Sequence, residues 1–244
     1  MHFISKLFLL GLLAHQAVGQ SVGSDSAVLA STTRQAVVRY EQVSHTLEQL
    51  YNGPEYIGYD RQMEGHAFFQ TDSLLSGRVT YQGGEFTVPM LFDIVKDLLV
   101  VVHPTGYRMA LHSNRIQRFT IDKQPFIRLD SLQQNMPSGF YNLVYDGPSQ
   151  VLVRRVKLIV AAPSTTSPWN AGMFGSFDPK TTYFIRRNGT YVQVKNKRAL
   201  YTLFADRRKE LMAYARQQQI RFKPSPEAAF LKLTQHYDQL TKAL

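Results

Sequence analysis

The chain has no cysteine in 244 residues, which rules out disulfide staples, thiol nucleophiles, CxxC redox chemistry and thiolate zinc sites. Tryptophan occurs once, at Trp169. No apolar run approaches the roughly 20 residues needed to cross a bilayer as a helix. There is no GxSxG elbow, HExxH pair or Walker loop, so any hydrolytic or nucleotide site must be assembled from scattered residues. Acidic residues are scarce in one place only. Between Lys180 and Lys223 there are twelve Lys/Arg against Asp206 and Glu210, so this segment alone carries as much charge as the whole chain's formal +10.

What is present begins with an address. Lys6, the apolar stretch Leu7 to Leu13 and the small residues Ala17-Val18-Gly19 predict a signal peptide over 1–19, cleaved before Gln20. The absence of a cysteine after the cleavage site removes the usual bacterial route to a lipid anchor, so a soluble exported chain of about 225 residues is expected. Residues 20–33 are rich in Ser, Thr and Gly and read as a flexible leader.

Residues 34–162 read as one domain. Val37, Tyr40, Leu47 and Leu50 recur at helical spacing until Asn52-Gly53-Pro54, although Val37-Val38 suits a strand equally. Period-two segments follow, punctuated at Gln82-Gly83-Gly84, Pro104-Thr105-Gly106, Asp122 to Pro125 and Asp146-Gly147-Pro148. Residues 163–179 read as a loop rich in Ser, Thr, Pro and Gly. The segment 180–244 holds a hairpin at Asn188-Gly189 and two helices, with Ser225-Pro226-Glu227 starting the second, packed on the same domain. The predicted fold is α+β: an antiparallel β-meander curled into a sandwich or partly closed barrel, with an N-terminal helix and a C-terminal hairpin plus two helices.

Four strings carry a resemblance: Leu50-Tyr51-Asn52-Gly53-Pro54-Glu55-Tyr56, Glu64-Gly65-His66, Phe140-Tyr141-Asn142-Leu143-Val144-Tyr145-Asp146-Gly147, and Asp206-Arg207-Arg208-Lys209-Glu210-Leu211. Through them the chain, from about Leu50 onward, resembles a group of uncharacterised exported proteins of Bacteroidota. The resemblance implies a periplasmic or outer-envelope address in a Gram-negative cell and no recognisable enzyme activity. Because the chain ends in a predicted helix rather than a β-type sorting domain, retention in the periplasm is expected over release. The same address makes Ser26, Ser73 and Ser131, each in an Asp-Ser-apolar context, candidates for O-glycosylation; Asp-Ser turn chemistry explains them equally well. An unmodified intact mass from the native host would reject the modification. Asn188-Gly189-Thr190 is a sequon that only a eukaryotic host would use.

Candidate chemistry is thin. His66, between Gly65 and Ala67-Phe68-Phe69, is the best single residue for a special role; a satisfied structural histidine is the commoner case. His103 and His112 sit at the ends of a predicted hairpin with Asp93 and Asp97 near in sequence, but no histidine pair has metal-ligand spacing. Asp93 and Asp97 also suit a glycosidase-like carboxylate pair if a cleft separates them. A hydrolase or metal-dependent enzyme would centre near His66, Asp93 and His103, yet neither a catalytic set, a metal nor a cofactor is assigned. Aromatics from Tyr56 to Phe92 read as core, or as a face for a lipid, glycan or peptide. The preferred reading is a non-enzymatic protein that binds an envelope partner through its basic end, at Arg207, Arg208, Lys209 and Arg216. The partner is an envelope protein or an anionic component, lipid head groups or acidic glycan. Export argues against nucleic acid, and a solvated helix face is the bland explanation of the same charges.

Overall fold

The computed structural model describes residues 32–33, 49–130, 136–162 and 174–242. The chain divides into two compact units, Met1–His45 and Thr46–Leu244, and every strand and helix named below lies in the second. The predicted signal peptide, residues 34–48 of the predicted N-terminal helix, Ser26, Ser131 and Trp169 lie outside the described residues. Thr32 and Thr33, assigned to the leader, are exposed and helical, and Gln49 and Leu50 are helical just before the Asn52-Gly53-Pro54 stop.

Eleven strands form one sheet: β1 (Met63–Glu64), β2 (Leu75–Tyr81), β3 (Gly84–Asp93), β4 (Leu98–Val102), β5 (Arg108–Ala110), β6 (Ile116–Ile121), β7 (Gln124–Leu129), β8 (Gly139–Tyr145), β9 (Val151–Ala161), β10 (Gly175–Arg187) and β11 (Thr190–Gln193). Their order is β1-β10-β9-β8-β7-β6-β2-β3-β4-β5, with β11 on β10, and only the β1–β10 pair is parallel. The sheet is open. It is neither a sandwich nor a closed barrel, and it is not one continuous meander. β6 returns past β5 to pair with β2, which lets Phe119 pack on Phe92 at 5.1 Å.

The predicted hairpins form, two of them, at Gln82-Gly83 and Asp122-Lys123, tighter than the turn strings suggest. Gln82-Gly83, Asp122-Lys123 and Asn188-Gly189 all have positive φ at both positions, the geometry of a type I′ turn. The expected loop over 163–179 is corrected at its end: residues 175–179 are strand, paired with β9. Pro179 is tolerated there because its partner Lys157 sends its own N–H out of the ladder to the Ile94 carbonyl, at 3.1 Å.

Phe92, Phe119, Phe126 and Phe140 pack at 4.8–5.8 Å on one face of the sheet and fill it themselves. Three helices, α1 (Lys197–Leu203), α2 (Arg208–Gln217) and α3 (Glu227–Lys242), pack with Val151, Ile185 and Val194 in a second core. The first of the two helices predicted in 180–244 is in fact two, because the chain breaks at the fully buried Phe204, which stacks on Tyr237 at 3.9 Å. The Arg187 guanidinium holds the break by donating to the Leu203 carbonyl and pairing with Asp206 at 2.7 Å.

The segment from Pro54 to Phe69 acts as a strap between the two ends of the sheet. Its start lies along β5, where Tyr56 N–H donates to the Arg108 carbonyl at 2.9 Å. Its middle supplies β1 beside β10, and its end bonds β3 through Phe69 N–H to the Phe92 carbonyl at 2.8 Å. Entry to the strap requires glycine, because a Cβ on Gly53 would lie 2.0 Å from the Ala110 oxygen.

Candidate functional site

Two hollows carry the chemistry of this molecule. The first lies under the strap, beside Asp93 at the end of β3. Asp93 is fully buried and its carboxylate accepts from Tyr56 Oη at 2.9 Å, Tyr59 Oη at 3.0 Å, Val95 N–H at 2.8 Å and Lys96 N–H at 3.0 Å. Burial first, and then the Asp93 charge and hydrogen bonds, push both tyrosine hydroxyls well above their ordinary pKa, so they stay protonated donors. The Lys96 ammonium donates to the Ile57 carbonyl at 2.7 Å and stands 4.5 Å from the Tyr59 ring centroid.

From β9, the Lys157 ammonium donates to the carbonyls of His66 at 2.6 Å and Phe68 at 2.9 Å. His66 Nδ1 accepts from Phe68 N–H at 3.2 Å, which leaves the ring proton on Nε2. Burial, and secondarily Lys157, hold the His66 pKa below its usual value. Burial likewise lowers that of Lys157. These groups fasten the strap to the sheet, and beside them opens a hollow of about 350 Å³.

The three residues grouped as an enzyme centre do not assemble. His66 and Asp93 belong to this latch, while His103 stacks on Tyr107 at 4.5 Å and meets Thr105 Oγ1 at 2.7 Å. His103 is five residues along from Leu98, the partner of Asp93, or about 17 Å at strand rise. Asp97 does not share a cleft with Asp93 either. It caps the start of β8 by accepting from Phe140 N–H at 3.2 Å, and burial raises its pKa to about 6. Among the described residues, no three His, Cys, Asp or Glu side chains group to hold a metal ion. Ser73 is exposed in the turn before β2.

The second hollow, of about 340 Å³, lies in the basic helical end. Asn196 starts α1 by accepting from Ala199 N–H at 3.0 Å, which places Lys197 and Tyr201 one turn apart on the same face. Helix α2 contributes Met212, Ala215 and Arg216. It ends in a Schellman turn: Ile220 N–H donates to the Ala215 carbonyl and Gln219 N–H to that of Arg216, with Gln219 at φ 50°. That reversal swings Ile220 and Arg221 back to the hollow.

Of the four cations named from sequence, Arg216 lines the hollow, and Arg208 stands near enough to act with it on the Tyr201 hydroxyl, whose pKa burial raises against both. Arg207 is paired with Glu210 at 3.4 Å, and Lys209 is exposed outside the lining. Lys197 and Arg221 were missed; the only signal for them was positive charge near a helix start and after a helix end. Lys197, Arg208, Arg216 and Arg221 make no ion pair among the described residues. Tyr201, Met212 and Ile220 give the same hollow an apolar side.

No family model, curated protein or solved structure matches the chain. Among the described residues, no helix is long and apolar enough to cross a membrane.

Proposed function

We propose that this is an exported, non-catalytic binding protein of a Gram-negative envelope, and that its basic helical end docks on an anionic envelope component. The phosphate of a lipid head group suits it best, because the hollow offers unpaired cations beside apolar side chains. The observation that carries this reading is the convergence of Lys197, Arg216 and Arg221 on one hollow without an acid to neutralise them. Such cations attract an anion over about one Debye length, roughly 8 Å at physiological salt. The signal peptide and the resemblance to exported Bacteroidota proteins support the address.

The test is sedimentation with phosphatidylglycerol vesicles. Replacing Lys197, Arg216 and Arg221 together by Gln is expected to weaken binding by on the order of 100-fold, at about 1 kcal/mol per surface cation. Lys209→Gln serves as the control and is expected to cost far less. Unchanged binding in the triple variant overturns the proposal. Retention on an acidic glycan but not on vesicles moves the ligand to the other anionic class.

A further inference from the structure

The hollow under the strap has a different character, and we propose that it binds a neutral saccharide. Two cations beside the hollow but outside its lining are already committed: Lys157 to two strap carbonyls, and Lys96 to that of Ile57. The remaining charged groups of the lining balance, with Arg61 and Arg108 set against Asp60 and Asp72. His66 adds no charge in its Nε2–H form. A strongly charged ligand of either sign therefore meets a like charge as readily as an opposite one.

Aromatic rings, Tyr56, Tyr59, Phe68 and Phe177, supply much of the remaining lining, beside Met63 and Ala67. Phe177 stands edge-on to Tyr59 at 5.1 Å, and Phe68 lies across the hollow under the Arg108 guanidinium, at 5.9 Å. Arg61 and Asp72 make no hydrogen bond or ion pair among the described residues, so a donor and an acceptor stand free beside those rings. An apolar ligand would bury them unpaired. A sugar ring answers every requirement at once, since its hydroxyls both donate and accept while its C–H faces are apolar. The volume falls within the range of small-ligand sites, and the strap is held at both ends of the sheet, so little ordering is lost on binding.

The experiment is isothermal titration and saturation-transfer NMR of the full chain with maltotriose, cellotriose and triacetylchitotriose, with trigalacturonate as the anionic comparison. At least one neutral trisaccharide is expected to bind with Kd of about 1 mM or tighter. Phe177→Ala and Asp72→Ala, which removes the acceptor, should each weaken it by roughly fivefold or more. Asp72 is exposed and makes no hydrogen bond or ion pair among the described residues, so Asp72→Ala is expected to fold normally and keeps the test decisive if Phe177→Ala does not. The Lys197, Arg216 and Arg221 triple variant should bind the sugar as the parent does, which separates this site from the basic end. The proposal is overturned if no neutral sugar binds up to about 10 mM, if trigalacturonate binds more tightly, or if Asp72→Ala leaves binding intact.

Discussion

The ammonium of Lys157 reaches back 91 positions in sequence to hold the carbonyl of His66 at 2.6 Å, while its own backbone N–H bonds Ile94. One residue of β9 thus ties the end of the strap and the β3–β4 turn to the same strand. Replacing it by Met keeps the aliphatic stem and removes the donors, leaving the carbonyls of His66 and Phe68 without this partner. Lys157→Met is expected to lower unfolding stability by about 2 to 4 kcal/mol. Urea denaturation checks this, and a loss under about 0.5 kcal/mol would mean that water replaces the ammonium freely.

The same strap is held from inside by Asp93, which serves two hydroxyls and two backbone N–H groups. Asp93→Ala orphans all four and is expected to cost at least about 3 kcal/mol. Tyr59→Phe removes a single bond and should cost about 1 kcal/mol. In a background already carrying Tyr56→Phe and Tyr59→Phe, the Asp93→Ala loss should shrink. A double-mutant cycle showing strict additivity would contradict the latch.

Asp97 predicts a pH dependence of definite sign. Its carboxyl is raised in the folded state from 3.8 to about 6, chiefly by burial, so the folded chain holds that proton more tightly than the unfolded chain does. The contribution to stability is therefore complete below about pH 4 and lost as pH rises through about 6, an effect of the order of 2 kcal/mol. Asp97→Asn should stabilise the protein at pH 7.5 and leave it nearly unchanged at pH 4. Asparagine also tolerates the φ of 57° at this position and keeps an acceptor for Phe140 N–H. His66 acts in the opposite sense: its lowered pKa gives a contribution present above about 6.5 and lost as pH falls through the folded value. The Asp97→Asn effect must accordingly be read as the difference from the parent at each pH. A flat difference between pH 4 and 7.5 would contradict the burial of this carboxyl.

Local chemistry alone was enough for the hairpins and for the start of the last helix. Asn188-Gly189 and Gln82-Gly83 form turns because the flanking residues alternate and the turn residues accept positive φ, and Ser225-Pro226-Glu227 precedes a helix because a cap, a proline and an acid suit a first turn. The excess of cations between Lys180 and Lys223 was equally plain. What no local rule contains is which distant groups share a boundary. The return of β6 to β2, the break at Phe204 and the strap that joins both ends of the sheet were each decided by burial of surfaces far apart in the chain. Lys197 and Arg221 were hidden for the same reason, since a Schellman turn with glutamine where glycine is usual brings them together. His66 and Asp93 stood out in the sequence as reactive types, but their tertiary neighbours made them fasteners: a buried carboxylate takes whatever donors reach it, and here these came from the strap.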